Sequence, residues 1–361
     1  MSTISFNNKN SVFYSALKSE VNEYFRQRRL QKTGNWKLYL KTGILIPLAI
    51  GLYISLLVFP LPAVYVILCC GALGFILASI GFNVMHDACH GSYSRHKWVN
   101  KLFGYTLNAL GGNEFFWRQK HNIIHHTYTN IDGVDDDIAK SPLIRQCDTQ
   151  KWVPAHRVQH LYLPFVYSIT SLAWTFGADF VKYFRQKIVQ TSVNNMNWKQ
   201  HLIFWVSKLV NIIVYILIPG LVVGWGEWAV GFIVGHIVFG FTLAIVFQLA
   251  HVVETTEFDV VGENHKQIES EWAIHQLKTT ANFATNNKII SWFVGGLNFQ
   301  IEHHLFPRVS HVHYPAISKI VKKVCNAHGI PYHQFPTMTS AVVSHFRFMK
   351  RLGRKPVLMA G

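Results

Sequence analysis

Charge is scarce in this chain. Only 14% of its 361 residues are Asp, Glu, Lys or Arg, against about 25% in soluble proteins. That shortage excludes an ordinary soluble domain and points to a membrane protein. Acidic residues are the scarcer kind, 18 against 34 basic, for a net charge of +16. Such a balance fits nucleic acid or a membrane surface, and the long apolar runs below select the membrane. Cysteine is also sparse. The five cysteines include the adjacent pair Cys69–Cys70, and no C-x-x-C occurs. A disulfide framework, an iron–sulfur cluster and a structural zinc site are thereby excluded. There is no G-x-G-x-x-G or other nucleotide signature. The opening "MSTISFNNKNSVFY" lacks the basic-then-apolar order of a cleaved signal peptide.

Long uncharged runs are present instead. Four segments can cross about 30 Å of hydrocarbon as helices: about 42–59, 63–84, 202–223 and 229–250. The loops within each successive pair are short, so the spans form two helical hairpins. Arg26, Arg28, Arg29, Lys32, Lys37 and Lys41 precede the first span; Lys322, Lys323, Arg347, Lys350, Arg351 and Arg354 lie near the C-terminus. The positive-inside rule then puts both termini, and the stretches 85–200 and 251–361, in the cytoplasm. A fifth apolar stretch, 161–181, contains Pro164, Gly177 and Asp179; it reads as an interfacial helix or re-entrant hairpin rather than a span. No internal repeat is evident. The expected fold is all-α: one membrane domain over residues 1–361, with a cytosolic helical cap.

Histidine is abundant, with 20 copies. The second span runs into "HDACH", placing His86 and His90 at i, i+4, on one helical face. "HNIIHH" repeats the spacing with His121 and His125, while His126 is expected to point aside. The fourth span runs into His251. "QIEHH" adds His303 and His304, which neighbour each other at about 100° around a helix and so face different ions. Eight imidazoles exceed the four that one tetrahedral ion takes; they suit two ions. Neutral imidazole suits iron, copper, nickel or zinc. Gln300, Asp87, Glu254, Glu302 and the run Asp135–Asp136–Asp137 are further ligands or acceptors for the second ring nitrogen. His96, His156, His160, His201, His265, His328, His333 and His345 read as surface or packing residues, His236 as a packing residue within a span. His275, His311 and His313 are candidates for hydrogen-bonding to the ligand imidazoles.

"HDACH", "HNIIHH" and "QIEHH" resemble the three histidine boxes of integral-membrane fatty acid desaturases. The likeness extends through "GGNEFFWRQKHNIIHHTYTN", "HQLKTTANF" and "GGLNFQIEHHLFPRVSHVHYP", over about 80–310. A glutamine opening the third box is similar to the front-end desaturases, which act between an existing double bond and the carboxyl end. The resemblance implies two non-haem iron ions on the cytosolic side of four membrane helices, dioxygen as co-substrate and two external electrons. It implies His86, His90, His121, His125, His126, His303 and His304 as ligands, with His251 in the place of an extra histidine after the last span. Gln300 stands where solved relatives have a ligand histidine. Many front-end desaturases carry a fused cytochrome b5 with H-P-G-G; here that motif is absent, so a separate donor is expected, ferredoxin or cytochrome b5 with its reductase.

Taking hydrogen from an unactivated alkyl chain is beyond acid–base side chains and needs a redox-active metal, which zinc is not. The acyl substrate, on coenzyme A or a membrane lipid, needs an apolar tunnel. Phe115, Phe116, Trp117, Trp292, Phe293 and Phe299 are expected to line it or to anchor at the interface. Arg118, Lys120 and Lys278 are candidates for its phosphate. A hydroxylase on the same scaffold is the alternative. A histidine-rich metal transporter would need ligands along mid-membrane, where only His236 lies.

Overall fold

A computed structural model describes residues 4–8, 11–138, 143–260 and 267–356; His265 lies outside the described residues. Four helices among them are long and apolar enough to cross a membrane: Trp36–Val58, Ala63–His90, Trp198–Val223 and Trp225–His251. Among the described residues strands are confined to four two-residue pairings, and the fold is all-α as expected. The helices outrun the apolar segments because polar caps start them early. Asn35 accepts the backbone N–H of Lys37 at 3.0 Å, and an Asn197–Gln200 capping box opens the third span at Trp198. Between the first two spans Phe59 is extended (φ −99°, ψ 133°), the conformation that a following proline demands.

Spans two and four touch backbone to backbone. A Cβ added at Gly74 would stand 2.3 Å from the carbonyl oxygen of Gly235; small residues permit such contact where no hydrophobic force drives helices together. Outward faces carry Ile44, Leu48, Ile54, Leu68, Leu209, Leu221 and Ile233 in exposed positions, as a hydrocarbon solvent requires.

The stretch 161–181 is not a continuous span. It breaks into helices Gln159–Ser168 and Thr170–Ala173, a π turn Trp174–Ala178 and helix Asp179–Arg185. Ser171 Oγ meets His236 Nδ1 at 2.9 Å, fixing the run against the fourth span. Lys208, the lone charge in the apolar segment 202–223, donates to Asp179 Oδ2 at 3.1 Å and to the carbonyl oxygens of Gly111 and Thr175. The two charges that interrupt these apolar segments thus neutralise one another.

The cap shares its core with the spans. Phe13, Leu17, Val21 and Phe25 repeat every four residues on helix Val12–Gln27. They bury against Ile301, Leu305, Ile317, Val321 and Val324, directly over the third histidine box. Helix Met338–Leu352 packs Phe348, Met349 and Leu352 into a cluster with Phe239, Leu243 and Leu249 of the fourth span. A cavity of about 700 Å³ lies between the hairpins, lined by Leu57, Leu77, Leu110, Phe176, Val222 and Phe239 among others. None of the six aromatics expected along the tunnel lines it.

Candidate metal centre

Each histidine box owes its placement to local helix geometry. The second span passes through a π turn, Gly81–Met85, then resumes as α-helix over His86–His90 until Gly91 ends it at φ +74°. His86 and His90 are one α turn apart, their ring centres 4.7 Å from each other. The second box departs from expectation. Residues Arg118–His125 form a π-helix, and the N–H of His126 bonds the carbonyl of His121 at 3.1 Å. In such a turn residues i and i+5 share a face. His126 therefore points inward beside His121, with their Nε2 atoms 3.2 Å apart, rather than aside. His121 and His125 stack with ring centres 5.2 Å apart, so all three face the cluster.

The third box, on helix Gln300–Leu305, divides as its sequence implies. The His303 ring lies 4.5 Å from His86 and 4.9 Å from His90; the His304 ring lies 5.0 Å from His125 and 4.8 Å from His251. Two sets result. Nitrogens of His86, His90, His121 and His303 all come within 4.8 Å of one another, and those of His125, His251 and His304 do likewise. His126 stands with His303 and His304, between the sets. None of the eight is more than 8% exposed.

These residues fit a metal pair by their hydrogen bonds. Four are held at Nδ1: His125 by Asp135 Oδ2 at 2.9 Å, His251 by the Thr279 carbonyl at 3.2 Å, His303 by Tyr314 Oη at 3.1 Å and His304 by Gln276 Oε1 at 2.9 Å. At the opposite ring atom, Nε2 of His251, His303 and His304 has no protein partner, nor do His90 Nε2 and His126 Nδ1. A buried polar atom left alone costs about 1–3 kcal/mol, and five such atoms converge on one space. Holding Nδ1 while Nε2 stays bare is how metal-binding imidazoles are oriented.

Burial pushes His121, His126, His303 and His304 well below the usual histidine range, so they stay neutral and able to ligate. For His125 burial pulls down, but the charge and hydrogen bond of Asp135, joined by Asp137, leave it raised. The unfolded chain takes up protons on imidazole below about pH 6.5, whereas the four lowered groups resist them. Protonation thus favours unfolding, with His125 opposing. The melting temperature of the metal-free protein should fall below about pH 6.5, where the four lowered groups outweigh His125, and decline slightly as pH rises through the raised value of His125. Calorimetry across that range checks this; a melting temperature that rises on acidification below that point would refute the assignment.

Asp87 and Glu302, unlike Asp135, bond away from the cluster. Asp87 accepts from Ser310 Oγ at 2.6 Å and lies 3.1 Å from His311 Nδ1. His311 Nε2 is in turn 3.0 Å from Lys41 Nζ, which also donates to Asn83 Oδ1. Glu302 accepts from Asn282 Nδ2 and Tyr332 Oη, each at 2.8 Å, and burial pushes its carboxyl up to about 7. Gln300 is buried one turn before His303 and His304, its Nε2 without a partner. Trp117 stacks on His121 with ring centres 4.4 Å apart, and walls the first set. Arg118 bonds Glu114 and the Cys89 carbonyl, Lys120 lies 2.6 Å from Asp137, and Lys278 lies 3.1 Å from Glu257. His275 bridges Asp259 and the Thr129 carbonyl, both at 2.9 Å; His313 reaches the Thr33 carbonyl. Sequence reasoning had no means to find Gln276, Thr129, Thr279 and Tyr314, because no spacing rule ties them to the boxes. All four do fall inside the stretches that carry the family likeness, Gln276 and Thr279 in "HQLKTTANF".

The fatty acid desaturase family profile matches residues 61–336. The sn-1 linoleoyl-lipid 6-desaturase of Arthrospira platensis is 34% identical over 350 residues, covering 96% of this chain and 94% of the relative. The enzyme of that name from Synechocystis sp. is 35% identical, covering 95% and 96%. An acyl-lipid (8-3)-desaturase of Physcomitrium patens is 32% identical, covering 96% of this chain and 72% of the relative. With four membrane helices and a buried histidine cluster at the ends of two of them, the chain belongs to the fatty acid desaturase family and is an oxidoreductase that desaturates fatty acyl chains.

Proposed function

We propose that the protein is a front-end acyl-lipid desaturase, inserting a cis double bond between the carboxyl end and an existing double bond. The eight buried imidazoles, seven in two facing sets and His126 between them, carry the reading. The glutamine opening the third box and the relatives named for positions near the carboxyl end support its regioselectivity. His86, His90, His121 and His303 would hold one iron and His125, His251 and His304 the other, with His126 between them and Gln300 beside. When bound, two redox-active irons supply the dioxygen-dependent oxidising power that acid–base side chains lack.

The protein's own part is position and exclusion of water. Asp135, Thr279, Tyr314 and Gln276 fix the Nδ1 atoms. Trp117 closes one wall beside His86, His90 and His121. The spans hold an acyl chain at the depth where helices two and four emerge. All three basic candidates are paired with carboxylates, but Lys278 is half-exposed and its partner Glu257 exposed, and Lys278 is therefore the best placed to turn to a lipid phosphate. The cap and both termini face the cytoplasm, where a separate ferredoxin, or cytochrome b5 with its reductase, delivers electrons.

The test is expression in a host of known lipid composition fed linoleate, with fatty acids profiled by gas chromatography. A new double bond on the carboxyl side of the existing pair, appearing first in intact lipids, is expected. A hydroxy acid, or a bond on the methyl side, would overturn the reading.

A further inference from the structure

One eight-residue helix, Trp272–Thr279, serves three of the histidines. At its start the Trp272 indole N–H donates to the carbonyl of His126 at 3.1 Å. At its end the Thr279 carbonyl meets His251 Nδ1. Between them Gln276, with no exposed surface, turns its Oε1 to His304 Nδ1 at 2.9 Å and to Thr129 Oγ1, also at 2.9 Å. The single Thr129 hydroxyl hydrogen is shared between that oxygen and the His125 carbonyl, 2.6 Å away, and His275 Nε2 lies 2.9 Å from the Thr129 carbonyl. Among the described residues no hydrogen bond joins this helix to His86, His90, His121 or His303. Its service is one-sided.

A neutral imidazole carries a single N–H. An acceptor at Nδ1 draws that hydrogen there and leaves the Nε2 lone pair bare for a metal. Gln276 Oε1 is such an acceptor for His304, whose Nε2 has no protein partner. Without it the remaining partner of His304 Nδ1 among the described residues is the Thr129 hydroxyl oxygen, at a longer 3.3 Å, and the proton and the ring are held less firmly. The arrangement differs from that at His125, where a carboxylate does the same work.

We infer that Gln276 is a positioning residue that fixes the tautomer of His304, and that helix Trp272–Thr279 governs loading of one metal position independently of the other. The inference rests on the two-metal reading above. Its consequence is selective. Loss of the acceptor at Gln276 unloads the position held by His125, His251 and His304, and leaves the four-histidine set intact.

The experiment titrates ferrous ion, without oxygen, into the full-length metal-free protein in nanodiscs. Stoichiometry is read by elemental analysis, and cobalt(II) is titrated in parallel for its ligand-field spectrum. Wild type should take two ions. Gln276→Leu should keep one at wild-type affinity and bind the second about 10–100-fold more weakly, with half of the cobalt spectrum lost. Gln276→Glu, whose carboxylate accepts the same hydrogen bond, should restore both ions; a merely space-filling role predicts no such rescue. If the leucine variant does not fold, Gln276→Asn withdraws the amide by one methylene and makes the same test. Two ions of unchanged affinity in Gln276→Leu, or equal weakening of both, would overturn the inference and leave the metal reading standing. A wild type that takes up no ion would overturn both.

Discussion

His125→Ala should abolish desaturation and lower bound iron, while all four helices still insert. His125 is the hub of the second set: its ring lies 4.8 Å from His251 and 5.0 Å from His304, and it stacks on His121 of the first. None of the four spans contains it, so insertion has no cause to fail. Its partner separates ligation from orientation. Asp135 is fully buried and also accepts the backbone N–H of Asn130, at 3.0 Å, and of Asp137 through its other oxygen. Asp135→Asn keeps an oxygen able to accept from Nδ1 but removes the charge that makes the imidazole a stronger ligand. It should therefore bind iron about 10–100-fold more weakly and regain activity with excess iron. Elemental analysis and product profiling of both variants decide the matter. Normal turnover with full iron in His125→Ala would remove that residue from the ligand set.

Much of this centre was legible because histidine chemistry and helix periodicity leave few choices. The i, i+4 pair His86–His90, and the opposed directions of His303 and His304, follow from 3.6 residues per turn. The emergence of His251 at the end of a span followed from hydropathy alone. His126 was not legible, because the π-helix over Arg118–His125 has no signature in propensity, and its wider turn brings residue i+5 to the face that i+4 also keeps. Nor were the acceptors. Gln276 lies 28 positions from His304, and Thr129 is 147 from Gln276; only the tertiary fold brings them together. Asp87 and Glu302 show the converse. Adjacent to ligand candidates in sequence, they stand on other faces of their helices and bond away from the cluster. The fold followed the same division. Hydropathy located four spans, while capping by Asn35 and Asn197 moved their starts. The fate of 161–181 rested on the buried partnership of Asp179 with Lys208.

Gly295→Ala should cost activity at least tenfold and lower bound metal, although it lies eight residues from the nearest histidine of the cluster. The backbone there has φ +58°, where a side chain costs about 1–2 kcal/mol. More damaging, a Cβ would stand 2.4 Å from the carbonyl oxygen of Phe82 and 2.6 Å from its carbonyl carbon. Phe82 belongs to the π turn that delivers His86, and Gly295 opens the stretch that delivers His303. Backbone facing backbone has no rotamer by which to escape, so the two segments must separate. The first set depends on their closeness, since the His86 and His303 rings are 4.5 Å apart. Gly329→Ala is the matched control. It too has positive φ, at +65°, but nothing lies within 4 Å of its added Cβ. That variant should lose about 1–2 kcal/mol of stability from backbone strain alone and keep its metal. Melting temperatures, metal content and product yield for the two alanine variants separate strain from displacement. Equal metal retention in both would mean that the approach of Gly295 to Phe82 does not set the distance between His86 and His303.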